Sequence, residues 1–198
     1  MSTSKSDAPY HHGDLRRALV AAALQLIEKQ EFSTIGLREV ARAAQVSPGA
    51  PYRHFRNREA LLAAVAAEGF EMLAQAFQTA ADASGGEAKA MGLAYLDFAL
   101  ANRNLFRLMF NGEIRKDDHP DLRAAADRAI GPLRGAMGGD ATNAREAAVG
   151  AWALVHGLAS LLVDDQLSDD LTAPQARQRL AGIILDIFGR GLRTAPSP

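Results

Sequence analysis

The stretch "LREVARAAQVSPGAPYRHFRNREALL", residues 37–62, decides the fold. Its first part is helical in pattern: Leu37, Val40, Ala41 and Ala44 share one side at i, i+3, i+4 and i+7. Gly36 is a tolerable N-cap, and Glu39 is placed to reach back to the exposed amides. Two prolines and a glycine then lead into Tyr52, Arg53, His54, Phe55, Arg56 and Arg58, a dense run of basic and aromatic groups. Ser47 can cap a second helix from Pro48 to about Arg56, because proline at the first helical position gives up an N–H that has no partner there. Pro51 fits less well. Its nitrogen should have bonded to the Ser47 carbonyl, which predicts a distorted first turn. Two short helices joined by a tight connection at 45–47 make a helix-turn-helix.

That arrangement points to duplex DNA. A recognition helix enters the major groove by its N-terminus, so the small residues Ser47, Pro48, Gly49 and Ala50 permit close approach to base edges. The positive end of the helix and the donors Tyr52, His54 and Arg58 suit phosphates, which set register rather than sequence. Arg53 and Arg38 have the bidentate geometry that reads guanine. Phe55 is expected to anchor the helix from inside, against Val40, Ala41 and Leu26. Arg56 reads as solvated charge.

Outward from this stretch, almost every segment is helical in period and none alternates as a strand would. A first helix is expected from Asp14 as N-cap, with Leu15, Leu19, Ala22, Ala23 and Leu26 on one face. A long helix follows from Arg58 to about Asp82, capped by Asn57 and burying Leu61, Leu62, Val65, Phe70, Leu73 and Phe77. Further helices are predicted at 87–102, 103–111, 120–138, 143–166 and 172–191, separated by "NGE", "DDHP", "GGDATN" and "SDDLTAP". The fold class is all-α, nine helices: three short ones leading into a larger bundle. The expected division is 1–60 for DNA and 61–198 for a second domain.

Composition agrees with this. The 198 residues are long enough to bury a real core, and 48% apolar with 23% charged is ordinary globular chemistry. Cysteine is absent, which excludes disulfides and thiolate metal sites and suggests the cytoplasm. The first fourteen residues have no apolar core and do not read as a signal peptide. Residues 147–163 contain no Asp, Glu, Lys or Arg, but they hold two glycines and a histidine, so a protein-covered helix is expected rather than a membrane span. The net charge of −1 conceals a basic first segment: residues 1–60 carry nine Lys/Arg against six Asp/Glu, and three of the five histidines.

The body suggests two things. The 147–163 run, and the helix carrying Leu180, Ile183, Ile184, Leu185, Ile187, Phe188 and Leu192, are apolar on more sides than one subunit would cover. A homodimer through helices 143–166 and 172–191 is predicted, the alternative being two core helices of a monomer. Phe70, Phe77, Tyr95, Phe98, Phe106, Met109, Phe110, Trp152 and His156 are the candidate lining for a small apolar or aromatic effector, although any one of them could be ordinary core. No catalytic or metal residues and no cofactor are expected: there is no Gly-rich phosphate loop and no H-E-x-x-H motif. Asp117, Asp118, His119 and Asp121 read as a helix start around Pro120. The rival function is an architectural DNA-binding protein without small-molecule control.

The stretch "TIGLREVARAAQVSPGAPYRHFRNREALL" also resembles the DNA-binding domain of the TetR family of bacterial transcriptional repressors, over roughly residues 12–62. The resemblance places the family's phosphate-contacting tyrosine and histidine on Tyr52 and His54, and its lysine at the head of the fourth helix on Arg58. Gln45 stands where the family usually has glycine, so left-handed backbone there carries a modest cost. Pro51 replaces a usual bulky apolar residue, implying looser anchorage. "YHHGDLRRAL", "YLDFALANRNLFRLMF" and "AWALVHG" resemble the branch named for Trp-His-Gly, here Trp152, His156 and Gly157. Arg103 stands at that branch's usual proline, implying a less sharp break between the helices at 87–102 and 103–111. The family implies a homodimer, a double-stranded operator of two-fold symmetry, and release when a small molecule binds the C-terminal domain.

Overall fold

Helix α1, His12–Ile27, begins the part of the chain that the computed structural model describes, residues 12–136 and 144–194. It is followed by α2 (Leu37–Ala43), α3 (Arg58–Ser84), α4 (Ala88–Ala101), α5 (Arg103–Met109), α6 (Pro120–Ala136), α7 (Ala144–Val163), α8 (Asp169–Thr172) and α9 (Pro174–Thr194). Short 3-10 turns occupy Phe32–Thr34, Pro51–Arg53 and Lys116–Asp118. Among the described residues there are nine α-helices and no strand, the all-α class the periodicity predicts. Tyr10 and His11, the expected helix ends beyond residue 136 and before 144, and the side chains of Phe188 and Leu192 lie outside the described residues.

The nine are not the nine expected. The segment 48–56 is not an α-helix: it is a turn at 48–49 and a 3-10 turn at Pro51–Arg53. A one-turn helix, α8, takes its place in the count, within the stretch read from sequence as a connection. Its Leu171 and Thr172 amides bond to the Ser168 carbonyl, and Pro174 ends it, since the residue before a proline disfavours helical backbone. Proline starts α9 as it starts α6, where the missing N–H costs little. The first helix is already under way at His12, so Asp14 is not its N-cap.

Helix α3 is the axis of the molecule and packs against α6, α4, α5 and α1. The sequence accounts for this: Leu61, Leu62, Val65, Phe70, Leu73 and Phe77 are all buried, at helical spacing along one side. Asn57 caps it as expected, its Oδ1 accepting from the Ala60 amide at 2.8 Å. One apolar cluster runs from Leu15 and Leu19 of α1, through Val40 and Phe55, along α3, and into Val155, Leu162 and Ala181. By length and composition, α3 and Glu146–Val163 are apolar enough to cross a membrane; half of the first window and 39% of the second are buried in this fold.

The α4–α5 break is sharper than Arg103 implies. Asn102 leaves helical geometry at φ −127°, ψ 45°, and its Nδ2 donates to the Phe98 carbonyl at 2.9 Å. Arg103 then pins the corner from outside, donating to the Val163 carbonyl and to Asp165. Arg107, one turn later, donates to the same carbonyl at 2.7 Å and to Asp164 at 3.0 Å. Two cations thus sit at the negative end of α7, where the helix dipole favours them.

Candidate nucleic-acid interface

Helix α2 ends in a complete Schellman motif. The Val46 amide bonds to the Ala41 carbonyl at 2.9 Å and the Gln45 amide to the Arg42 carbonyl at 3.1 Å. Gln45 accordingly takes φ 56°, the left-handed backbone expected at the family's glycine position, at a cost of about 1 kcal/mol. Glu39 does not cap α2; it accepts instead from Gln30 Nε2 at 3.3 Å and lies 3.9 Å from Arg42.

Beyond the turn, Pro51 decides the backbone. It has no N–H to offer the Ser47 carbonyl, so the Ala50 amide takes that carbonyl at 2.9 Å, in an i→i+3 bond. The tightened turn continues: Arg53 bonds to Ala50, and His54 and Phe55 both bond to Pro51. The distorted first turn predicted from Pro51 therefore extends through the whole recognition segment. Ser47 does not cap it; Ala50 holds the cap position, with no side-chain hydrogen bond.

The side chains sort as their chemistry requires. Pro51 is buried, and Phe55, only 2% exposed, belongs to the cluster that contains Val40. Arg16 of α1 lays its guanidinium over the Phe55 ring at 5.5 Å, a cation–π contact fixing the segment from behind. Tyr52, by contrast, is 53% exposed, and Ser47, Pro48, Gly49, Arg53 and Arg38 are exposed with it, while Ala50 and His54 are half-buried. A Cβ built on Gly49 meets nothing within 4 Å. No packing inside the chain requires a glycine there, so its smallness serves a surface that meets something else. Among the described contacts, Arg38 and Arg53 enter no ion pair, which leaves both guanidinium groups available.

Arg58 has a role inside the chain that its expected phosphate contact does not describe. Its Nε donates to the Ile35 carbonyl at 2.7 Å and its Nη2 to the Phe32 carbonyl at 2.5 Å. The guanidinium closes the 32–35 turn ahead of α2, work that a lysine ammonium could do only in part. Arg58→Met is therefore expected to lower headpiece stability by about 1–2 kcal/mol, read as a fall in the thermal midpoint with no DNA present. An unchanged midpoint with weakened DNA binding would return Arg58 to the phosphate-contact role.

In the body, most of the predicted effector set is brought together. Tyr95 Oη and His156 Nδ1 are hydrogen-bonded at 2.8 Å. Around this pair, Phe106–Phe110, Phe110–His156 and Trp152–His156 ring centroids lie 4.9, 4.5 and 5.6 Å apart, and Phe70 meets Phe110 edge-on at 5.4 Å. Phe98 and Met109 are buried outside this ring set; the Met109 sulfur lies against Gly69 of α3. Burial pushes the Tyr95 phenol well above its ordinary range, and burial with the nearby Lys116 charge pulls His156 down, so neither group favours its ionised form. The described cavities lie elsewhere. One of about 330 Å³ sits between α1, α3 and the α4–α5 corner, one of about 230 Å³ under the recognition segment, and one of about 300 Å³ between α4 and α9.

Several further contacts carried no signal in the sequence. Lys116 lies over the Phe70 and Phe110 rings. Asn104 of α5 donates to the Ile27 and Gln30 carbonyls at the end of α1. His119 Nε2 meets Glu59 Oε1 at 2.9 Å, and Arg16 lies 3.7 Å from Asp121. The last two tie the start of α6 to α3 and α1, and only tertiary proximity reveals them.

The comparisons with known proteins agree with this geometry. Residues 19–65 match the family model described as bacterial regulatory proteins, tetR family, and residues 88–188 match tetracyclin repressor-like, C-terminal domain. A solved protein of unknown function from Rhodococcus sp. RHA1 is 33% identical, covering 93% of this chain and 98% of its own, with TM-score 0.77. PfmR of Thermus thermophilus, a TetR family transcriptional regulator, is 18% identical over 100% of both chains, with TM-score 0.58. NalD, the secondary repressor of the MexAB-OprM multidrug efflux pump in Pseudomonas aeruginosa, is 20% identical over 90% of this chain and 96% of its own, with TM-score 0.57. A helical bundle bearing this exposed segment, with the match to bacterial regulatory proteins over residues 19–65, defines a DNA-binding transcriptional regulator. The chain belongs to the TetR family.

Proposed function

We propose that this protein is a cytoplasmic repressor that binds a two-fold symmetric operator as a homodimer and leaves it when a small molecule binds its body. Residues 1–60 act as the DNA-binding domain and 61–198 as the dimerising and effector-binding domain. The observation that carries the DNA part is the recognition segment: buried through Pro51 and Phe55, open at Gly49, and exposed at Tyr52, Arg53 and Arg38. Base edges are met by Ser47, Pro48, Gly49, Ala50, Arg53 and Arg38, and phosphates by Tyr52 and His54.

Dimerisation is supported by what the single chain leaves uncovered. On α7, Val149 is 56% exposed and Leu161 44%, with Ala153 and Gly157 exposed between them at four-residue spacing. On α9, Ile183 is 49% and Ile187 58% exposed. Large aliphatic groups aligned on two neighbouring helices suit an isologous four-helix contact.

Release follows from linkage: an effector shifts the equilibrium only if it binds the arrangement unable to hold DNA more tightly. The lever is α3, whose first turn carries Glu59 in the headpiece and whose middle carries Phe70 and Phe77 in the aromatic cluster. Selection of bound sequences from random duplex DNA tests the reading. The expected result is an enriched motif with two-fold symmetry, its half-site centres one helical turn or a multiple of it apart, roughly 34–36 Å per turn. Enrichment of no motif at low ionic strength would remove it.

A further inference from the structure

Lysine ordinarily carries its ammonium out into water on an apolar stem. Lys116 does not. From the 116–118 turn its Nζ lies 4.8 Å from the centroid of Phe70 and 5.7 Å from that of Phe110. Burial lowers its pKa, opposed by the field of Asp127, yet among the described contacts no carboxylate pairs with it. Across the ring set, Trp152 Nε1 is buried and near the Tyr95 hydroxyl without a hydrogen bond of full geometry, although buried donors are almost always satisfied. A neutral His156 that accepts the Tyr95 proton at Nδ1 carries its own proton on Nε2, a third donor in the same group.

We propose that this cluster takes an organic anion, a carboxylate on an aromatic or otherwise apolar frame, with Lys116 as its counter-ion and Trp152 as a hydrogen-bond donor. The inference rests on the effector reading above and specifies its chemistry. One partly desolvated cation, two neutral N–H donors and the faces of several rings form a surface rich in donors, with no carboxylate paired with Lys116 among the described contacts. A lipophilic cation would find Lys116 opposing it and no counter-charge in contact. An anion restores the interactions that Lys116 has lost with water and satisfies the indole. Access is open as well. Lys116, Phe110, Trp152 and His156 remain partly exposed, over a floor of buried Tyr95, Phe70 and Phe106.

The position of Lys116 also links occupancy to the headpiece. It opens the turn that leads to His119, bonded to Glu59 of α3, and to Asp121, near Arg16 of α1. Arg16 in turn backs Phe55. Drawing Lys116 onto an anion acts on both ties between the start of α6 and the elements that hold the recognition segment.

The full chain has one tryptophan, and it lies in the cluster, so its emission reports occupancy directly. The probes are two acid–amide pairs, 4-nitrobenzoate with 4-nitrobenzamide and 6-phenylhexanoate with 6-phenylhexanamide, titrated by Trp152 emission and by calorimetry. In at least one pair the acid is expected to bind about tenfold or more tighter than its amide. Lys116→Met brings that ratio to about one at unchanged helicity, and Lys116→Arg keeps it. Equal binding of acid and amide by the native chain, or a preference that survives Lys116→Met, overturns the anion assignment and leaves an effector site standing. No response to any of the four probes overturns the anion assignment and the effector reading of this cluster together.

Discussion

Gly157→Arg is expected to yield a folded monomer that binds operator at least about 100-fold more weakly than the native chain. Within one chain the substitution is harmless: a Cβ at Gly157 meets nothing within 4 Å, and the residue is exposed. Replacing a glycine in a helix interior even removes a penalty of about 0.5–1 kcal/mol. The damage arises only when a second subunit covers the line of Val149, Ala153, Gly157 and Leu161. Two-fold symmetry then brings in two arginines at once, each a charge taken from water without a partner, at several kcal/mol per ion. A lone headpiece contacts one half-site and loses the effective concentration that the dimer supplies for the second. Light scattering at micromolar concentration reads the assembly, and a mobility shift reads the affinity. Ile187→Glu on α9 should act in the same way. A Gly157→Arg variant that stays dimeric with native affinity places the subunit contact elsewhere.

The second large effect concerns the recognition segment. Arg53→Ala is expected to cost about 1–3 kcal/mol on the selected operator and far less on random duplex, collapsing the ratio between the two. Tyr52→Phe removes one hydroxyl and is expected to weaken operator and random DNA alike, by roughly 1 kcal/mol. The salt dependence separates the roles. A guanidinium that neutralises a phosphate contributes about one unit to the slope of log affinity against log salt, whereas the tyrosine hydroxyl contributes none. Equal losses on both DNAs for Arg53→Ala, with a reduced slope, would make it a phosphate contact instead of a base reader.

Much of the candidate interface was legible beforehand, because residue classes there follow from local rules. Leu37, Val40 and Ala41 bury one face of α2 as their spacing requires, and Asn57 caps α3. Pro51 was recognisable as an obstacle, and Gln45 as a residue forced into left-handed backbone. The extent of the proline's effect was not legible. A single missing N–H passed the Ser47 carbonyl to Ala50, and the Arg53 and His54 amides followed at i→i+3 spacing, so the expected helix shrank to a 3-10 turn. The intramolecular bonds of Arg58 were not legible for a different reason. Its class matches a phosphate contact, but the Phe32 and Ile35 carbonyls lie 26 and 23 residues away in sequence.

What this sequence determined alone was the helical class, the helix and turn that lead to a small exposed tip, and membership of the family, because periodicity, caps and proline chemistry act over a few residues. Tertiary structure decided which polar groups meet. Helix packing brought Arg103 and Arg107 to the end of α7, Asn104 to the end of α1, His119 to Glu59, and Lys116 onto two phenylalanine rings. Each of these contacts satisfies a charge or a dipole at a helix end or inside the fold. Such groups accept any partner of the right sign within about 3 Å, so the choice belongs to whichever segment the apolar core carries there.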